Sequence, residues 1–488
     1  MKAFAAIIGL TCRHSLRSHI FQLLLLLLLG CVAFVPTTVG AGNAGEFIRV
    51  SLLYSLSGVT GILMLSALWV SCYTMSHDID NYQLHMVVSK PVSRVTLWLA
   101  KFTGVTLVHL VLLALAAAAI YAIVIYRFES FQPEDFPAGD RATIEAERAK
   151  IRNEVMVGRE VFLPERPNYA HLAREKVKET LRRAEERRLK IDQSLSAQEA
   201  LYKEALQEVA AEDSRVNAGS QRVWVYRGLP SKLDRPISLR YRPYVGKVDS
   251  KDQRQTRLQW FAGVPIKPRE SGENNSVFRN RQSRYDLAFS PLSAAPEQQL
   301  AGVFHEKILR PEWGFITPDR KVYLAVVNFD PERSLHYYQP LDGPKLLIPV
   351  CGFFANYCRA IIVAALAVII MSAISCAFGG FLTMPTAIFV VASYLMFGSF
   401  SLFLTDEEFF VESTMDKFGQ FVARCLLSVV VPLQEFEFSS MVAGGELISF
   451  SSIWHLVWFY GFCRVAPLML LGIWFYRRRE LGLVLRSK

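Results

Sequence analysis

The apolar residues of this chain are sorted into two blocks. Residues 20–126 and 346–476 carry nearly unbroken apolar runs, among them the consecutive leucines Leu23 to Leu29, while residues 127–345 are rich in Arg, Lys, Glu and Asp and hold no comparable run. A bilayer core about 30 Å thick is crossed by about 20 apolar residues in a helix. The chain therefore reads as a membrane protein interrupted by one large polar insertion, and a purely soluble enzyme is disfavoured. A composition of 52% hydrophobic and only 20% charged residues agrees.

Six stretches are long enough to span. They run from Ile20 to about Gly40, Leu52 to about Met75, about Thr96 to Ile125, about Ala360 to Phe378, Pro385 to about Leu404, and Ile453 to Tyr476. Arg359 sets the register of the fourth, because a charge at the bilayer centre costs roughly 3 kcal/mol. The preceding piece, with Phe353, Phe354 and Tyr357, is then expected along the interface. Pro385 suits a first helical turn, and Trp454, Trp458, Trp474 and Tyr476 are placed as interfacial anchors.

Short basic segments set the orientation. Lys2, Arg13 and Arg17 precede the first span, Lys90 and Arg94 lie between the second and third, and Arg477, Arg478, Arg479, Arg486 and Lys488 follow the last. With six spans all of these fall on one side, the cytoplasmic side of a bacterial-type inner membrane, with both termini inside and residues 127–345 outside. The N-terminus also resembles a signal peptide, and Leu28-Leu29-Gly30-Cys31 loosely resembles a lipoprotein cleavage box. The long leader, the atypical Leu29 and the odd number of spans left by cleavage count against that alternative.

The formal charge is +10, from 54 Lys+Arg against 44 Asp+Glu, with signs mixed through the insertion. Such a surface suits solvation better than polyanion binding, so no nucleic-acid partner is expected. The cysteines (Cys12, Cys31, Cys72, Cys351, Cys358, Cys376, Cys425 and Cys463) avoid residues 127–345 and form no CxxC. Neither a disulfide framework nor a zinc site is indicated, and they read as small packing residues.

The insertion divides in two. Residues 127–218 are helical in composition, with coiled-coil spacing through Val177, Leu181, Ala184, Ile191, Leu195, Tyr202, Ala205 and Val209. A helical hairpin is expected, its long arm of about 44 residues reaching about 66 Å at about 1.5 Å per residue. Its complementary stripe would be Ile144, Ile151 and Val155, in a helix ended by Pro164 and Pro167; a single solvated or partner-dependent arm is the other reading. Residues 219–345 shift to short alternating strands, with Val223, Val225, Leu239 and Tyr241 expected on one face, which suits a β-sandwich. Trp224, Trp260 and Trp313 could stack on a sugar ring, though buried Trp is commoner. His305 and Glu306 point to opposite faces of a strand, and no catalytic, cofactor-binding or metal-binding set emerges.

The segment between the second and third spans is the most informative: SHDIDNYQLHMVVSKPVSRVTLWLAKFTGV. A short polar helix over about 76 to 88 followed by Ser89-Lys90-Pro91-Val92-Ser93-Arg94 resembles the intracellular coupling segment of the type-2 ABC transporter permeases. That family carries a recurrent L-x-x-P-[VI]-S-R string and an early Lys in the following span, here Lys101. The tail FYRRREL is also similar, as is a large insertion between spans three and four. The chain departs from the pattern where Asp80-Asn81-Tyr82 stand in place of a Gly-Thr. The resemblance covers the two membrane halves and says little about residues 127–345.

The residues themselves support a lever. A rigid helix joined to two spans moves both when it is pushed. Asp78, Asp80 and His85 give it a polar side, while Ile79, Tyr82, Leu84 and Met86 offer apolar contacts to a partner. Alternatively the loop is ordinary, with Lys90 and Arg94 at lipid headgroups. An apolar stripe of Val411, Met415, Phe418, Val422, Cys425 and Val429 suggests an interfacial or re-entrant helix over Phe410 to Val431, and His109 suggests a hydrogen bond within the bundle.

No G-x-x-x-x-G-K-[ST] occurs, so ATP would be bound by another chain. The fold expected is an α-helical polytopic membrane protein with an inserted extracytoplasmic domain. Its parts are residues 1–126 with the coupling segment 76–94, the hairpin 127–218, the sandwich 219–345, and residues 346–488 with the remaining spans and basic tail. The resemblance implies a permease subunit of an ATP-driven exporter rather than an enzyme. Its partners would be a cytoplasmic P-loop ATPase, a second copy or sibling permease, membrane lipids and an extracytoplasmic accessory protein. The competing reading is a binding or scaffold protein anchored by its helices. A membrane-bound hydrolase lacks a nucleophile or metal constellation.

Overall fold

The computed structural model describes residues 2–38, 44–80, 92–130, 141–187, 195–230, 235–245, 255–265, 287–310, 314–317, 319–330, 335–339, 342–405, 418, 419, 421, 422, 425, 428 and 430–478. The chain forms two compact units, residues 1–158 with 351–488, and residues 159–350.

The first unit is helical. It begins with α1 (Lys2–Arg17) and α2 (His19–Thr38), followed by the long α3 (Ala44–Asp80) and α4 (Arg94–Ser130) and by α5 (Arg141–Glu154). After the second unit come α8 (Phe353–Gly379), α9 (Met384–Thr405), a 3₁₀ turn at Leu433–Phe436, the short α10 (Ser439–Ala443) and α11 (Phe450–His455). The last continues through a π-helical stretch, Leu456–Val465, into α12 (Ala466–Arg478).

Four helical stretches are long and apolar enough to cross a membrane: Gly45–His77, Arg94–Ser130, Phe353–Gly379 and Phe450–Arg478. The protein is therefore a membrane protein. The described residues do not reproduce six spans. Lys2–Arg17 and His19–Phe34 are bent by 71° and add a fifth only if counted together.

The basic N-terminal arm is a helix, with Thr11 and Ser15 buried on one face. Phe353, Phe354 and Tyr357 do not form a separate interfacial piece but open α8. Tyr357 is buried there because its hydroxyl donates to the Ala117 carbonyl, 2.8 Å away on α4, which satisfies a polar group inside an apolar bundle.

Close backbone approach holds the bundle together. A Cβ on Gly472 of α12 would stand 2.6 Å from the Ala377 Cα on α8, so only glycine lets these helices touch. Leu52, Leu63, Ala67, Val363, Ala367 and Ile374 lie in one core with Ile151 and Val155. The last two were expected to pair with the charged hairpin; instead α5 ends at Glu154, and Ile151 and Val155 pack into the first unit.

The second unit holds the polar domain. Its hairpin forms between α6 (Tyr169–Glu186) and α7 (Leu195–Ser214), so residues 169–214 are not one long arm. Asn168 caps α6 by accepting from the His171 amide. Ala173, Tyr202 and Ala205 form the seam, with Val177 and Leu206 against them. Tyr169 donates to Asp213 at 2.6 Å and Lys176 pairs with Glu208 at 2.9 Å, which fixes the antiparallel sense. Between α5 and α6, where the sequence suggested continuous helix up to Pro164, the chain forms β1 (Val157–Phe162).

The remaining strands are β2 (Arg215–Val216), β3 (Gln221–Tyr226), β4 (Ile237–Tyr241), β5 (Tyr244–Val245), β6 (Gln255–Pro265), β7 (Leu287–Pro291), β8 (Glu297–Leu300), β9 (His305–Leu309), β10 (Val322–Asn328), β11 (His336–Tyr337) and β12 (Lys345–Gly352). One sheet runs β1-β12-β4-β9, a second β3-β10-β6-β7 with β8 also on β6, and a third β2-β11-β5. Leu239, Tyr241, Leu309 and Leu346 of the first sheet share a core with Trp224, Tyr226, Trp260 and Leu324 of the second. On β3 the buried face is Trp224 and Tyr226, opposite to the Val223 and Val225 face expected, because the aromatic side chains bury more area.

Trp260 is fully buried, its ring 4.8 Å from Tyr241 and 5.5 Å from Trp224. These two tryptophans are core residues and not a sugar platform; Trp313 lies outside the described residues.

Candidate functional site

Of the residues expected to couple to an ATPase, Tyr82, Leu84, Met86, Lys90 and Pro91 lie outside the described residues. Asp78, Ile79 and Asp80 form the last turn of α3. Arg94 opens α4 and donates from Nη1 to the Arg477 carbonyl, 2.9 Å away. Ser76 Oγ, near the end of α3, donates to the Gly379 carbonyl at 3.1 Å. Met75, Trp98, Cys376 and Tyr476 form one small core, and Lys101 Nζ donates to the Thr74 carbonyl at 2.8 Å. The ends of α3, α8 and α12 and the start of α4 thus converge at one end of the bundle, where the chain segment 81–93 joins α3 to α4.

A cavity lies in the half of the bundle farther from that convergence. It measures about 250 Å³ and is walled by α3, α8 and the turn leading into α10. Leu56, Met64, Phe436 and Phe438 give it apolar sides, and Ser57, Glu437 and Ser439 a polar patch. The two serine hydroxyls are 2.6 Å apart, and both lie in reach of Glu437 Oε1, at 3.2 Å from Ser57 and 3.3 Å from Ser439. Glu437 is itself exposed, and both serine hydroxyls reach its carboxylate. A carboxylate with two hydroxyls in an apolar frame can accept hydrogen bonds from the donor end of an amphiphile.

The segment 430–449 builds this site because polar side chains from neighbouring helices hold its backbone. Asn356 of α8 is buried and makes two bonds, donating to the Glu446 carbonyl at 2.8 Å and accepting from the Ile448 amide at 2.9 Å. Arg359 donates to the Ile448 carbonyl at 3.0 Å with its guanidinium 4.2 Å from the Phe450 ring. Its charge thus finds an acceptor and an aromatic face within the protein. At the other end of the segment the Val431 amide donates to the Tyr394 hydroxyl at 3.1 Å, and Arg464, in the π-helical stretch, donates to the Val430 carbonyl. Backbone groups outside regular helix are kept satisfied in this way.

Ser57, Asn356 and Glu437 were not singled out by sequence. The available signal was Glu435 and Glu437 standing inside the apolar stretch VVVPLQEFEFSSM. Within the expected interfacial stripe, Phe418, Val422 and Cys425 are helical and exposed; Val411, Met415 and Val429 lie outside the described residues. His109 is buried, its Nδ1 2.8 Å from the Val105 carbonyl and its Nε2 3.0 Å from Ser66 Oγ.

In the second unit, Arg159 is fully buried and pairs with Glu306 at 2.9 Å, while Arg240 Nε lies 3.7 Å from the same carboxylate. His305 turns away, its Nε2 2.9 Å from the Leu300 carbonyl. Burial holds the His336 imidazole below its ordinary range; Asp330, 3.7 Å away, opposes this without overcoming it. Among the described residues no group of three or more His, Cys, Asp or Glu could hold a metal ion. No family model matches the chain, and no curated protein or solved structure matches it.

Proposed function

We propose that this chain is the membrane subunit of an ATP-driven ABC-type exporter, powered by a separate cytoplasmic P-loop ATPase and working as a homodimer or with a sibling permease. One observation carries the reading: the SKPVSR-containing segment joins α3 to α4 at the end of the bundle where α8 and α12 also terminate. Force applied to that segment reaches two candidate spans directly and two more through hydrogen bonds and packing. An anchor needs no such convergence.

In this reading α2 and α9 complete six crossings, both termini are cytoplasmic, and the polar domain, a β-sandwich with a helical hairpin, faces outward toward cargo or an accessory protein. The Glu437 cavity lies toward the outward end and contacts the donor end of an amphiphilic cargo. The coupling residues in this reading are Asp78, Ile79, Asp80, Tyr82, Leu84, Met86, Lys90, Pro91 and Arg94.

The test is replacement of both Tyr82 and Leu84 by Ala. A buried aromatic anchor at an interface centre is worth about 2 kcal/mol or more, whereas exposed ion pairs give at most about 1 kcal/mol. The double variant should insert normally but lose co-purification of its ATPase. Undiminished co-purification together with undiminished transport would replace the coupling assignment with the anchored-scaffold reading.

A further inference from the structure

The helix break at Ser18 opens a second cavity in the first unit, of about 310 Å³. Such a volume lies at the small end of the range, about 300–1,000 Å³, in which small molecules bind. Its lining is basic and aromatic. His14 and Arg17 come from the last turns of α1, His19 from the start of α2, Trp69 and Tyr73 from α3 and Met384 from α9. Among the described residues that line it none is acidic.

The ring arrangement is organised. His14 stacks on Tyr73 with centroids 5.5 Å apart and planes 11° from parallel, and Tyr73 in turn meets His77 at 4.8 Å. Even as a neutral imidazole His19 carries one N–H donor, and Arg17 adds a fixed fork of donors that matches phosphate.

The position of the cavity along the bundle follows from its helices. α1 buries Thr11 and Ser15 and exposes Arg13 and Arg17. Beyond the 71° bend, α2 exposes Leu23, Leu26, Leu27 and Leu29. A change from a mixed to a largely apolar surface just past a sharp bend marks the level where headgroups meet acyl chains.

We propose that this cavity binds the phosphate of an anionic phospholipid headgroup. Arg17 and His19 hold the phosphate, with His14 stacked on Tyr73 in the cavity wall, and Trp69 and Met384 cover the glycerol region. The acyl chains leave along the exposed leucines of α2. The shared chemistry is a phosphate anion, and the membrane is the source named here. Headgroup binding at this place is independent of whether the chain transports anything.

The experiment uses the full chain in detergent, titrated with dioleoyl-phosphatidylglycerol, with dioleoyl-phosphatidylcholine and inorganic phosphate as parallel arms, and counts retained ligand by native mass spectrometry. Wild type should retain phosphatidylglycerol in preference to phosphatidylcholine. Arg17→Gln should weaken that retention about fivefold, the effect of about one basic side chain at an anionic surface. His19→Gln should weaken it less, and Lys2→Gln, a charge-matched change at the far end of α1, should leave it unchanged. Arg17, His19 and Lys2 are exposed, and elution as a single folded species is the check on each variant.

Equal retention of the two lipids overturns the proposal, as does an Arg17→Gln variant that retains phosphatidylglycerol like wild type. Equal loss in Lys2→Gln reduces the effect to net charge and also overturns it. Inorganic phosphate that displaces phosphatidylglycerol at comparable concentration shifts the source to a free anion and overturns the lipid assignment.

Discussion

Arg94 and Arg477 are 383 residues apart in sequence, yet the Arg94 guanidinium donates to the Arg477 carbonyl at 2.9 Å. The first residue of α4 and the penultimate residue of α12 therefore share one end of the bundle. In the proposed topology the residues just before α4 and the last residues of α12 lie on one side of the membrane. Cysteines introduced at Ser93 and Arg478 should react with a membrane-impermeant maleimide added from the same side, with the wild-type chain as the blank. Reaction from opposite sides would separate two ends that the hydrogen bond joins.

Asn356→Ala removes both bonds that hold residues 446 and 448. A buried amide or carbonyl left without its partner costs about 1–3 kcal/mol. Hydrogen exchange should rise over residues 446–448 while the central turns of α3 keep their protection. Unchanged exchange would mean that the segment is held without Asn356.

Gly61 lines the Glu437 cavity, and a Cβ built there meets no atom within 4 Å. Gly61→Leu projects a side chain into this space and should favour the helix by about 1 kcal/mol. If the cavity receives cargo, cargo-stimulated ATP hydrolysis by the assembled transporter should fall about tenfold or more while ATPase co-purification is kept. Full stimulation would remove the cavity from the transport path.

Glu306→Gln leaves Arg159 and Arg240 facing a neutral amide inside the second unit. Breaking a buried pair by removing one charge costs about 3–5 kcal/mol. The excised residues 159–350 should unfold at markedly lower urea concentration, whereas Arg183→Gln, which loses only an exposed pair with Glu179, should cost less than about 1 kcal/mol. Equal midpoints for the two variants would show that the buried network carries little stability.

His336 gives the second unit a pH dependence of definite sign. Its imidazole is depressed by burial, so in the folded state it stays neutral to lower pH than in the unfolded chain. Between the folded value and the ordinary value near 6.5 the unfolded chain binds more protons, and stability rises with pH. Denaturant midpoints of residues 159–350 should therefore fall as pH drops below about 6.5, and His336→Gln should flatten that slope. A slope unchanged in the variant would assign it to other groups.

Much of the architecture is legible in the sequence because crossing a bilayer is a local requirement. A helix must supply its own backbone hydrogen bonds and enough apolar length, so α4 and α8 stand out without knowledge of any neighbour. The polar insertion was equally visible, since its charges cannot lie in lipid.

Tertiary structure decided everything that depends on which neighbour a residue meets. Periodicity gives a face and not a partner: Ile151 and Val155 looked like half of the charged hairpin but pack into the helical bundle, and the hairpin closes between α6 and α7 instead. Alternation on β3 allowed either face, and the shared core with Tyr241 and Leu324 selected Trp224 and Tyr226. Arg359, read as a charge to be moved out of the bilayer, finds the Ile448 carbonyl and the Phe450 ring about 90 positions later in the chain. The Ser57, Glu437 and Ser439 cluster likewise exists only once α3 meets the turn before α10. Apolar length is written in contiguous residues and can be read directly; the partner of a buried polar group is set by folding, because it arrives from a distant part of the chain.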